Sequence, residues 1–148
     1  MQEYIHYGTD LFRPDLVLRE KHCVSSKPSR GIWASPIRDS AYTWRDFCEN
    51  EDFRVERLAL SFKFFLKEEA KILEIHNMDD ILPFVNGRPS IFEETINFKK
   101  LYESFDGMEL FLSENWRFHD SILFYAWDVD SIVIWNPDII IPKGESYD

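Results

Sequence analysis

The sequence predicts a mixed α+β fold in which strands and helices interleave irregularly, and three stretches predict it. Ser131-Ile132-Val133-Ile134-Trp135 is an unbroken apolar run, with Asp130 before it and Asn136-Pro137 after it, as expected of a buried strand. Leu58 to Phe64 alternates large apolar side chains with small or charged ones, the mark of a half-buried strand. Ser40 to Asn50 sets Ala41, Trp44, Phe47 and Cys48 at three-and-four spacing, which predicts a helix with one buried face and Asp39 or Ser40 as its N-cap.

Composition supports a packed core and narrows the partners. At 148 residues, 45% of them hydrophobic and 16% aromatic, the chain reads as one domain over 1–148 that needs no metal or disulfide to fold. A net charge of −10 disfavours non-specific binding to a nucleic-acid backbone or an anionic membrane face. The two cysteines, Cys23 and Cys48, are too few for a disulfide framework or a four-cysteine zinc site, and His22, His76 and His119 add no metal-ligand spacing. No signal-peptide pattern follows Met1, and no apolar run has a membrane helix's length, so the expectation is a cytoplasmic protein with no membrane and no metal.

Taken in order, Tyr4 to Thr9 is a strand ending in a turn at Gly8-Thr9. Asp10 to Pro14 is loop, Asp15 to Cys23 fits a short strand or a helix, and Ser25 to Arg30 is loop around Pro28. Gly31 to Ser35 is the second strand and leads into the Ser40 to Asn50 helix. After the strand at Leu58 to Phe64, Lys71 to Ile75 makes another. Asn77, with Asp80 three residues on, caps a short helix that Pro83 disturbs. Ile91 to Phe105 is a longer helix candidate with Ile96, Leu101 and Phe105 inward; Asp106-Gly107 is a turn, and Met108 to Leu112 is strand-like. Ser121 to Trp127 fits helix or strand.

Chemistry concentrates in three places. The first is His6-Tyr7-Gly8-Thr9 at the end of the early strand. The second is Gly31-Ile32-Trp33-Ala34-Ser35 with Ser40, Tyr42 and Trp44 behind it: a glycine, hydroxyls and aromatic faces able to hold a flat cationic ring by stacking and cation–π attraction. The third is Asp128-Val129-Asp130 before the late buried strand. Each also has a plain structural reading: an ordinary strand histidine, core tryptophans, and turn acids. The chain has five glycines, none spaced for a phosphate-binding loop, and no Ser-His-Asp elbow.

In that order the three stretches resemble the motifs of the ADP-ribosyltransferase superfamily, which includes bacterial toxins, poly-ADP-ribose polymerases and RNA 2′-phosphotransferases. The resemblance implies a split β-sandwich with a few flanking helices that grips NAD as substrate. It implies that His6 or Tyr7 orients NAD, that Gly8 and Ser40 meet the carboxamide, and that Trp33 and Tyr42 or Trp44 sandwich the nicotinamide. Thr9, Gly31 and Ser35 belong to the same motifs. Asp130, with Asp128 two residues earlier, would be the acid, where the family usually has glutamate. His6 and Tyr7 are consecutive strand residues, so both face one cleft only if the strand is re-aimed. The activity implied is transfer of ADP-ribose to an unknown protein or nucleic-acid acceptor, or NAD glycohydrolysis. The alternative is a non-catalytic acidic protein-interaction domain with a degenerate NAD cleft. Removal of phosphate from RNA would need basic residues that the net charge does not advertise. Arg13, Arg19, Arg30 and Arg38 lie near the first two motifs and suit either a pyrophosphate or plain solvation.

Overall fold

The computed structural model describes residues 1–20, 26–87 and 95–144, so the last residues of the expected Asp15 to Cys23 element and the first residues of the expected Ile91 to Phe105 helix lie outside them. Among the described residues nine strands follow one another: β1 (Glu3–Tyr7), β2 (Ile32–Pro36), β3 (Ser61–Leu66), β4 (Ile72–Ile75), β5 (Val85–Asn86), β6 (Thr95–Ile96), β7 (Gly107–Leu110), β8 (Ser131–Ile134) and β9 (Ile140–Pro142). Three helices join them, α1 (Pro14–Leu18), α2 (Trp44–Glu51) and α3 (Phe98–Ser104). Seven strands form one sheet in the order β4-β7-β8-β2-β1-β3-β9, while β5 and β6 pair with each other. The α+β class holds, and the sheet curls into a half-barrel. β4 and β7 run parallel, and the other ladders among the described residues of this sheet are antiparallel.

Strand register assigns each residue to a face. Tyr4 opposite Phe64, Ala34 opposite Ile132 and Ile32 opposite Ile134 put these side chains on one face, where Val17, Ile139 and Ile140 close a buried cluster. Met108 opposite Val133 marks the other face, where Leu101 of α3, Phe118, Phe124 and Trp127 pack. On the first face the Tyr4 hydroxyl donates to Glu109 Oε1 at 2.7 Å. Their strands, β1 and β7, stand three places apart, about 14 Å in a flat sheet. The curl is what brings the two side chains together.

Several boundaries differ from the sequence expectation, each for a local reason. Helix α2 starts three or four residues late, because Thr43 and Asp46 form a reciprocal capping box: Thr43 Oγ1 accepts the Asp46 amide and Asp46 accepts the Thr43 amide. Asp39, Ser40 and Ala41 therefore lie in the turn before it. Gly107 is not a turn residue but opens β7, where a Cβ would stand 2.5 Å from the Val133 carbonyl oxygen, so only glycine lets the two backbones meet. Ile96 is buried on β6 and not on a helix, since α3 begins at Phe98 with the Asn97 side chain accepting the Lys100 amide. Leu58 and Ala59 belong to a 3₁₀ turn, Val55–Ala59, ahead of β3. The Asn77 cap with Asp80 holds as expected, on a 3₁₀ turn. Ser121 to Trp127 is neither helix nor strand but a series of turns, with the Phe124 amide on the Ser121 carbonyl and the Trp127 amide on Phe124. Strand β9 has no counterpart in the sequence reading, because three residues are too few for a period to show.

Candidate functional site

The β1–β2 ladder is short. It pairs Tyr4 with Pro36 and Ile5 with Ser35, whereas β1 pairs with β3 along all of Glu3 to Tyr7. Where β1 and β2 part, the His6 Nδ1–H donates to the Trp33 carbonyl at 2.6 Å, and the ring leans on Phe62 with centroids 5.3 Å apart. A cleft of about 280 Å³ opens there. His6, Tyr7, Trp33, Ser35, Trp44 and Asp128 all line it, together with Lys27, Ala126 and Trp127. His6 and Tyr7 point to opposite faces of β1, yet both border the cleft without a bulge, because a gap between two strands is bounded by both faces of each.

Each wall has a visible support. Trp33 is half-buried with its edge on Trp127, centroids 4.7 Å apart, and the Trp127 indole N–H is tied to the Ser26 carbonyl at 2.8 Å. Trp44 stacks on Phe47 at 5.4 Å, and its amide donates to the buried Ser35 Oγ at 3.0 Å. Ser35 thus anchors the start of α2 to β2 and sets Trp44 at the rim. The Lys27 ammonium lies 5.7 Å from the centroid of the Trp33 ring. Asp128 is exposed. Neither Asp128 nor Lys27 has a hydrogen bond or ion pair among the described residues, and both line the cleft.

The other sequence-proposed residues are not among those lining the cleft. Asp130 is fully buried, and both its oxygens are taken: Oδ2 accepts the Tyr42 amide at 2.7 Å and Oδ1 the Ser113 amide at 3.0 Å. Ser40 is exposed before α2, and its carbonyl accepts the Ser113 hydroxyl at 3.3 Å. Tyr42 sets its ring edge against Trp116, centroids 6.0 Å apart, and its hydroxyl accepts Asn50 Nδ2. Gly8, at φ 108°, donates its amide to the Leu60 carbonyl, and the Thr9 hydroxyl closes a turn onto Leu11. Gly31 has φ 130°, and a Cβ there would lie 2.8 Å from Val133 Cγ2, so its glycine is needed for the approach of β2 to β8. Lys27 and Trp127 are the residues that sequence reasoning missed. A basic Lys27-Pro28-Ser29-Arg30 run just ahead of Gly31 was the signal for the first; Trp127 lay in a stretch without a period.

A second polar group lies off the cleft. Glu109 is buried on β7, holding the Tyr4 hydroxyl and, through Oε2, Arg38 Nη1 at 3.4 Å. Burial pushes its carboxyl above the ordinary value, against the pull of the Tyr4 hydrogen bond and the Arg38 charge. Burial and the Glu109 charge likewise push the Tyr4 phenol far up. Among the described residues no group of three His, Cys, Asp or Glu side chains is placed to hold a metal ion, and no helix is long and apolar enough to cross a membrane. Compared with protein-family models, curated proteins and solved structures, the chain matches none.

Proposed function

We propose that the cleft binds NAD and that the chain transfers ADP-ribose from it to a macromolecular acceptor or to water, as the resemblance to the ADP-ribosyltransferase motifs implies. One observation carries this reading: the Trp33 ring already faces a cation, Lys27 at 5.7 Å, inside a cleft that also holds the Asp128 carboxylate. A planar cationic ring replacing that ammonium would gain the same quadrupole attraction plus stacking area. A volume of about 280 Å³ suits the nicotinamide riboside end, near the roughly 300 Å³ at which small-molecule sites begin.

In this reading Trp33 and Trp44 hold the ring, Tyr7 and His6 border it where the strands part, and Lys27 turns to the pyrophosphate. Asp128, not Asp130, is the acid. As the bond between ribose C1′ and nicotinamide breaks, its electron pair leaves with the ring, and positive charge grows on the ribose. A carboxylate that hydrogen-bonds a ribose hydroxyl stabilises that charge more than the ground state, which is what lowers the barrier. The acceptor's oxygen or nitrogen then bonds to C1′ and gives up its proton.

The test is nicotinamide release from NAD by purified protein, alongside a thermal shift with NAD. Release that Asp128→Asn abolishes while the shift persists is the expected result. The absence of both release and shift refutes the reading. A shift without release supports the second reading, a non-catalytic acidic interaction domain with a degenerate NAD cleft, which the structural commitment of Asp130 favours.

A further inference from the structure

Trp116 is 51% exposed at the start of a 3₁₀ turn, Trp116–Asp120, and it is not alone there. The Tyr42 ring stands edge-on to it at 6.0 Å and the His119 ring is tilted against it at 5.9 Å, so three aromatic groups form a step on the surface. The step is rigidly mounted. His119 Nε2–H donates to the Trp127 carbonyl at 2.7 Å, and Tyr42 is held by Asp130 through both its amide and its carbonyl. Exposed carboxylates flank it along the chain. Asp120 closes the same turn, Asp128 follows Trp127, and Asp39 precedes Ser40, whose carbonyl is tied to Ser113. None of these three has a hydrogen bond or ion pair among the described residues. Arg117 is the one cation on the turn, in a chain whose net charge is −10.

An exposed tryptophan with held aromatic neighbours, and exposed acids near them in the chain, fits a delocalised cation. Guanidinium stacks on an indole face while its N–H groups meet carboxylates, and it is less strongly hydrated than ammonium, so arginine suits the step better than lysine. We propose that the Tyr42, Trp116 and His119 step is a docking surface for an arginine-bearing segment of a protein partner. This surface does not depend on the nucleotide reading of the neighbouring cleft.

A fluorescently labelled short peptide of alternating arginine and serine, titrated with the full chain at physiological salt and followed by anisotropy, tests it. The arginine peptide should bind more tightly than its lysine counterpart, and Trp116→Ala should weaken it about fivefold, the worth of one exposed cation–π contact. Trp116→Tyr, which keeps a ring, should retain most of the affinity. Unchanged thermal midpoints would show that both variants fold. Equal affinity for wild type and Trp116→Ala overturns the proposal, as does no binding at all. Equal weakening by the remote Glu68→Gln reduces the effect to bulk charge and also overturns it. So does preference for a single-stranded oligouridylate, or a concentration-dependent dimer that Trp116→Ala abolishes without any effect on the peptide. The NAD thermal shift on the same samples reports separately on the cleft.

Discussion

Tyr42 and Asp130 are joined by two reciprocal hydrogen bonds: the Tyr42 amide donates to Asp130 Oδ2 at 2.7 Å, and the Asp130 amide donates to the Tyr42 carbonyl at 2.9 Å. With Oδ1 on the Ser113 amide, this one buried carboxylate ties the turn before α2 and the turn after β7 to the entrance of β8. Asp130→Asn would turn an amide NH₂ toward one of two backbone N–H donors and leave a buried pair of donors unsatisfied. A loss of about 3 kcal/mol is expected. It should be read as a lower urea midpoint at unchanged slope. Any nicotinamide release, measured well below that midpoint, should stay near wild type, in contrast to Asp128→Asn.

The two ends of the proposed ligand separate by mutation. Trp33→Ala removes a ring face and should weaken both nicotinamide riboside and NAD about tenfold, the upper range for one aromatic stacking contact. Lys27→Ala should weaken NAD alone, since the riboside has no phosphate for the ammonium to meet. Calorimetric titration of both ligands against both variants checks it. Equal weakening of the two ligands by Lys27→Ala would place the ammonium at the ring and not at a phosphate.

How much of this was legible in the sequence depends on what each residue's signal was. The apolar run at Ser131 to Ile134 and the alternation ahead of Phe64 gave away β8 and β3, because burial on two faces or one leaves a period that needs no tertiary context. The start of α2 was also readable: Thr43 and Asp46 at capping-box spacing outrank Ser40, which has no acidic residue three positions on. Asp128 and Asp130 could not be told apart, since which of two acids two residues apart is buried depends on backbone amides of Tyr42 and Ser113, distant in the chain. The gathering of His6, Tyr7, Trp33 and Trp44 at one cleft follows from the β1–β2 ladder ending at Ile5 and Ser35, a length that local propensity does not encode.

The burial of Glu109 makes stability depend on pH with a definite sign. Burial holds the Glu109 carboxyl above its ordinary 4.5, so between that value and its raised folded one the native state binds more protons than the unfolded chain. Stability contributed by this group is therefore fully present below about 4.5 and declines as pH rises through the folded value. Glu109→Gln should flatten that decline. Tyr4→Phe removes a hydrogen bond to the charged form and should lower stability at neutral pH by about 2 kcal/mol. It should do so less at pH 4, where Glu109 is protonated. Urea unfolding of both variants across pH gives the comparison, and equal destabilisation by Tyr4→Phe at both pH values would contradict a charged acceptor in the fold.

His76 has the same sign from the opposite cause, since a hydrogen bond favours its charged form where burial disfavours that of Glu109. Its Nδ1 lies 2.7 Å from Glu114 Oε2, its ring stacks on Phe111 at 4.0 Å, and Glu74 approaches Nε2 at 3.8 Å. The hydrogen bond to Glu114 favours the protonated ring and lifts its pKa above 6.5, with the Glu114, Glu74 and Asp80 charges adding to it against partial burial. A raised histidine stabilises the fold fully below 6.5 and loses that contribution as pH rises through the folded value. His76 and Glu114 are 43% and 52% exposed, so solvent screens the pair and the stability change should be small. The titration itself is the sharper readout. The His76 ring proton resonances should titrate above 6.5, and Glu114→Gln should bring the midpoint down toward it. A midpoint that does not move in Glu114→Gln would mean that the bond at 2.7 Å is not what holds the proton.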